Sequence, residues 1–114
     1  MKKLFAGVLL FGLLVLALDV HAATVNLAWN ANTEPDLAGY KLYRATGTCA
    51  NPGTFDFIVL FGLVTSGPDT NVPVGTYCYK MTAYDASFNE STFSNAVQAS
   101  VVDTNPPAAP AGLN

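Results

Sequence analysis

Cys49 and Cys78 are the two cysteines of this chain, and such a pair offers either one intramolecular disulfide or a reactive or metal-binding thiol site. A nucleophilic thiolate needs a cation or a histidine beside it, and a metal-binding pair is commonly spaced Cys-x-x-Cys. Neither feature accompanies these residues. Asn32, Glu34 and Asp36 in one stretch, and Asp85, Asn89 and Glu90 in another, supply carboxylate and amide oxygens, the donors that calcium takes in sets of about six to eight. They lack the Asp-x-Asp spacing of a calcium loop, and a hydrogen-bonded cap between two loops is the simpler expectation. A glycosidase would need two carboxylates across a cleft. The chain also has no Gly-x-Ser-x-Gly elbow and no phosphate loop, and its only histidine is His21, so catalysis and cofactors are not expected.

His21 lies in a segment with its own logic. Met1-Lys2-Lys3 is followed by an apolar run over residues 4–18 and then by Asp19-Val20-His21-Ala22-Ala23, a positive start, an apolar middle and small residues at the end. That is the layout of a secretory signal peptide cut after Ala22. The run falls short of the roughly 20 residues that cross a bilayer as a helix, which leaves an uncleaved anchor as the competing reading. Residues 1–22 are therefore set aside, and a secreted or periplasmic location follows. Export is also the compartment in which a disulfide forms and persists.

Residues 23–114 suffice for one small domain and not for two. Here Lys41, Arg44 and Lys80 face Glu34, Asp36, Asp56, Asp69, Asp85, Glu90 and Asp103, an excess of four negative charges. So few cations cannot neutralise a run of phosphates, which argues against nucleic acid and against an anionic membrane as partners.

The elements that must position these residues are strands. Val25, Leu27 and Trp29 share one face of a period-two pattern, and Tyr40 and Leu42 share one face of residues 39–44, with Lys41 and Tyr43 on the other. Residues 76–85 alternate most clearly, with Tyr77, Tyr79, Met81 and Ala83 opposite Cys78, Lys80, Thr82 and Tyr84. These patterns nominate Val25, Leu27, Trp29, Tyr40, Leu42, Tyr77, Tyr79 and Met81 as core. Short strands are further expected near residues 70–72 and over 95–102, and no segment has a helical period. The apolar run from Phe57 to Val64 fits either a core strand or an exposed edge. Residues 103–114, with Pro106, Pro107 and Pro110, favour extended polyproline geometry and read as a tail or linker. An all-β chain of two packed antiparallel sheets results.

Val25-x-Leu27-x-Trp29, Asn32-x-Glu34-Pro35-Asp36-Leu37-Ala38-Gly39-Tyr40-Lys41-Leu42-Tyr43, Val72-Pro73-Val74-Gly75-Thr76-Tyr77, Thr82-Ala83-Tyr84-Asp85 and Asn89-Glu90-Ser91-x-Phe93-Ser94-Asn95 resemble bacterial fibronectin type III domains. The resemblance covers nearly all of residues 24–102. It implies an immunoglobulin-like antiparallel β-sandwich, with Trp29 as core tryptophan and Tyr77 as the tyrosine that pins the corner between sheets. It also implies that residues 39–44 and 76–85 are neighbours, so that Cys49 and Cys78 form a structural disulfide, and that the two acidic loops meet at one end. The first strand of the family is missing, and the interval from Val72 to Tyr77 is one residue short of its pattern.

The function expected from this resemblance is a non-catalytic spacer or adhesion-type module that binds a protein or a surface. Tyr43 and Tyr84, both expected on the solvent side, suit contacts with protein or with cell-surface polysaccharide. A carbohydrate-binding accessory role is the first alternative. The second is strand exchange, in which the tail of one copy fills the edge left by the missing strand in another. The tail also resembles the start of a further domain of the same kind, which suggests a longer multidomain chain.

Overall fold

A computed structural model of the 114-residue chain describes residues 22–114; the signal-peptide reading falls, apart from Ala22, outside the described residues. Six strands follow one another: β1 (Ala22–Ala28), β2 (Leu37–Thr46), β3 (Asp56–Phe61), β4 (Ser66–Pro73), β5 (Gly75–Asp85) and β6 (Val97–Val101). They form two antiparallel sheets, one of β1 and β4 and one in the order β3-β2-β5-β6. β1 lies towards β6 and β4 towards β3. The expected strand near residues 70–72 is thus longer, and the last strand is trimmed to residues 97–101.

Period-two alternation fills the space between the sheets. Leu42, Val72, Tyr77, Tyr79 and Val101 form its buried centre, with Val25, Leu27, Val59, Phe61, Met81 and Ala99 packed against them. Tyr40 is also buried. Trp29 is only partly buried: it packs edge-on against Tyr40 and tilted against Phe61, with ring centroids 5.5 and 5.2 Å apart. Its Nε1 is covered without a hydrogen-bond acceptor.

The apolar run of residues 57–64 divides between both of its expected fates. β3 is the outer strand of the larger sheet, and a bulge shifts its register between the pairs Leu42↔Val59 and Tyr43↔Phe57. Val59 and Phe61 therefore turn inward while Phe57 and Leu60 stay exposed. Gly67 in β4 lets the Phe61 ring in: a Cβ there would come within 2.2 Å of it.

Two further devices join the sheets. The Tyr77 hydroxyl donates to the carbonyl of Pro73 at 2.8 Å, so the corner bond forms in spite of the short interval. Deeper in, Asp69 of β4 is buried, and its Oδ2 accepts from Arg44 Nη1 of β2 and from the Tyr79 hydroxyl of β5, each at 2.8 Å. Burial pulls the Arg44 guanidinium down, but the hydrogen bond and charge of Asp69 outweigh it and hold its pKa above the ordinary value. Burial and the same carboxylate raise the Tyr79 phenol. Removing one member of such a group leaves a buried charge uncompensated. Arg44→Leu is expected to lose about 3 kcal/mol in urea unfolding, and replacing Arg44, Asp69 and Tyr79 together by Leu, Leu and Phe should recover most of that loss.

Candidate functional site

The outward face of the larger sheet gathers the side chains whose types could bind or react. Cys49, in the loop after β2, is bonded to Cys78 of β5, with Cα atoms 4.9 Å apart. In chain-entropy terms a loop of this length stabilises the fold by about 3–4 kcal/mol. The Cys49 amide also donates to Gln98 of β6, so the loop is tied across the sheet. Cys78 is fully buried, and the pair is structural.

Glu90 is the polar centre of this face. One of its oxygens accepts from the hydroxyls of Tyr43 and Thr82, and the other from Lys41 Nζ at 3.3 Å. Tyr43 and Thr82 together hold its carboxyl below the usual range, Lys41 adds to this, and the Tyr43 phenol is raised in return by its bond to Glu90. Asp85 spends its carboxylate locally: it accepts from the Asn89 side chain and from the amides of Ser87 and Asn89, with Asn89 contributing most to its depressed pKa. Asp36 offers its backbone carbonyl to Ala86, and Glu34 its carbonyl to Leu37. The acidic loops therefore meet as a hydrogen-bonded cap, and the calcium set of Glu34, Asp36, Asp85, Asn89 and Glu90 does not assemble. Among the described residues no group of three or more His, Cys, Asp or Glu side chains is placed to hold a metal.

The two candidate ligand tyrosines part company. Tyr84 is correctly placed on the outward face but is only 8% exposed. It pairs with Gly39, and its ring fills the space that a side chain there would take, since a Cβ on Gly39 would lie 2.8 Å from the Tyr84 hydroxyl. Phe88 stacks parallel over it and Lys41 approaches its face. Tyr84 is thus withdrawn from ligand contact by a glycine opposite, a pairing that strand alternation alone does not reveal.

Tyr43 instead centres an aromatic cluster that sequence reasoning missed. Its ring meets Phe93 and Phe57 edge-on at 5.1 and 6.0 Å, Phe55 adjoins Phe93, and Lys80 Nζ lies 4.5 Å from the Phe55 centroid and 5.2 Å from that of Phe93. Phe57 is 53% and Phe93 47% exposed. Phe93 reaches this face because residues 91–95 bow outward on two serines. Ser91 and Ser94 exchange bonds with Ala83 and Met81, each hydroxyl accepting from the strand amide while each serine amide donates to the strand carbonyl. The Ser-x-x-Ser spacing beside β5 was the available signal.

Behind that bowed segment a groove of about 540 Å³ opens between β1 and β5, lined by Leu27, Trp29, Tyr79, Met81, Phe93 and Asn95 among others.

The depressed Glu90 carboxyl has a pH consequence. Its bonds stabilise the fold fully above the ordinary value of 4.5 and are lost as pH falls through the lower folded value. The urea midpoint of the parent should therefore exceed that of Glu90→Gln most at neutral pH, the gap closing as pH falls below 4.5 and through the lower folded value; a gap independent of pH would contradict this.

No protein-family model matches the chain, and no curated protein matches it. Among solved structures it is similar to the solution structure of a fibronectin type III domain derived from the human KIAA0970 protein, at 21% identity and a TM-score of 0.60, covering 84% of this chain and 77% of that one. That likeness, with the two antiparallel sheets and the tyrosine corner, gives the chain the immunoglobulin-like sandwich fold of fibronectin type III domains.

Proposed function

We propose that this chain is an exported, non-catalytic module of the bacterial fibronectin type III kind, which docks a protein partner through the outward face of its four-stranded sheet. The observation that carries the reading is the contiguous cluster of Tyr43, Phe57 and Phe93 with Lys80 at its edge. Exposed aromatics beside a cation form the kind of patch from which interface hot spots are built. Phenyl rings without polar tips suit a protein better than a sugar, and the burial of Tyr84 removes one of the two stacking rings that the carbohydrate reading needs. The disulfide and the absence of a long apolar helix among the described residues are compatible with life outside the cytoplasm.

Two measurements test this. Amino-terminal sequencing of the chain recovered outside the cytoplasm should begin at Ala23; a retained leader would make it a membrane-anchored protein instead. A photo-crosslinker at Phe57 in producing cells should trap a discrete protein that the same probe at exposed Thr70 of β4 does not. Equal trapping at both positions would defeat the docking face, and retention of the parent on polysaccharide beads that Tyr43→Ala abolishes would favour the carbohydrate role.

A further inference from the structure

We propose that the groove beside β1 is a receptor for residues 103–114 of a second copy of this chain, so that copies join head to tail. Phe93 and Lys80 border both the groove and the aromatic face, but the assembly does not depend on the docking reading.

The receptor is an incomplete sheet. β1 is hydrogen-bonded to β4 on one side, and among the described residues no strand lies on its other side. An unpaired edge presents a row of backbone donors and acceptors that an added strand can satisfy. Of β1, the last two residues, Leu27 and Ala28, line the groove, together with Trp29, Met81 and residues 91–95.

Every buried residue of the described chain lies between Gly39 and Val101, and the tail has no regular secondary structure and is exposed throughout. The domain core therefore closes without it. Its one large apolar side chain, Leu113, is 97% exposed. Pro106, Pro107 and Pro110 favour extended geometries over residues 106–110, which lowers the entropy lost on docking, and their missing N–H groups are tolerated on an edge strand.

Direction selects a second copy over the chain's own tail. β6 ends at Val101 opposite Gly75, the end of the sandwich where Ala22 pairs with Pro73. The tail thus leaves beside the start of β1, whereas the groove reaches past the end of β1 to Trp29, Asn30 and Asn32. A tail arriving from a copy stacked above that end runs antiparallel to β1; the chain's own tail would have to reverse and run parallel. Twelve extended residues reach about 40 Å, against about 23 Å for seven-residue β1, which leaves enough to bridge two copies. One tail and one groove at opposite ends make a heterologous contact, which propagates unless it closes into a ring.

Trp29 is the sole tryptophan of the chain, so its emission reports on the groove. In the full chain, light scattering should show mass rising with concentration beyond two copies, with a blue shift of Trp29 emission. A variant ending at Val102 should remain monomeric with red-shifted emission. Adding a synthetic peptide of residues 103–114 to that variant should restore the shift, and adding it to the full chain should shorten the assemblies. The same peptide with Leu113→Asp should bind at least about tenfold more weakly, as expected for a lost apolar anchor. A full chain monomeric at all concentrations, a blue shift independent of concentration, as a tail folded onto its own groove would give, or equal binding of both peptides would each overturn the proposal. Phe57→Ser, which alters the docking face alone, should leave assembly unchanged; a loss of assembly in that variant would assign the self-contact to the aromatic face and overturn the tail receptor.

Discussion

Asp69 sits between the two sheets, and one oxygen of its carboxylate receives both the Arg44 guanidinium and the Tyr79 hydroxyl. A charge in such a place costs several kcal/mol to desolvate, and it is tolerable only with its donors held in position. β4 supplies the acceptor while β2 and β5 supply the donors, so the group is satisfied in one arrangement of the two-stranded sheet over the four-stranded one. Apolar packing alone would allow the smaller sheet to slide, because burial is non-directional. The Asp69 group gives it a register, and the Tyr77 bond to Pro73 does the same at the turn between β4 and β5.

With the interior held in this way, the outside of the sandwich is free to specialise. The outward face of the larger sheet is stiffened by the disulfide and by Glu90, which draws Tyr43, Thr82 and Lys41 together. Its aromatic rings are consequently presented on a rigid sheet, and a preorganised patch loses less entropy on binding than a loop would. Ser91 and Ser94 link the two candidate surfaces: by fastening residues 91–95 to β5 they hold Phe93 in the aromatic cluster and at the border of the groove against β1. A single local departure from regular pairing thus shapes both.

The fold was legible because alternation with period two is a local property of the chain. Val25, Leu27 and Met81 pack against the centre formed by Leu42, Tyr77 and Tyr79, as their phase along each strand requires. The candidate site was legible only in part. Tyr43 and Tyr84 have the same phase relative to the core, yet one centres an aromatic cluster while the other is sealed over Gly39. That difference depends on what lies across the sheet. The Asp69 group escaped notice for the same reason: Arg44, Asp69 and Tyr79 are far apart in the chain, and neither Arg44 nor Asp69 carries a local signal of burial.

The amino-acid sequence by itself determined the β class, the inward and outward faces of its clearest strands, the small number of cations that argues against phosphate-rich partners, and the limit of one intramolecular disulfide that two cysteines set. Each of these follows from residue type and nearest spacing. Only the tertiary structure decided that the acidic loops cap one another with hydrogen bonds, that β3 divides its apolar side chains between core and solvent through a bulge, and that β1 borders an open groove. These are outcomes of pairing between distant segments, where the space left by one side chain sets the exposure of another, and no local pattern encodes that.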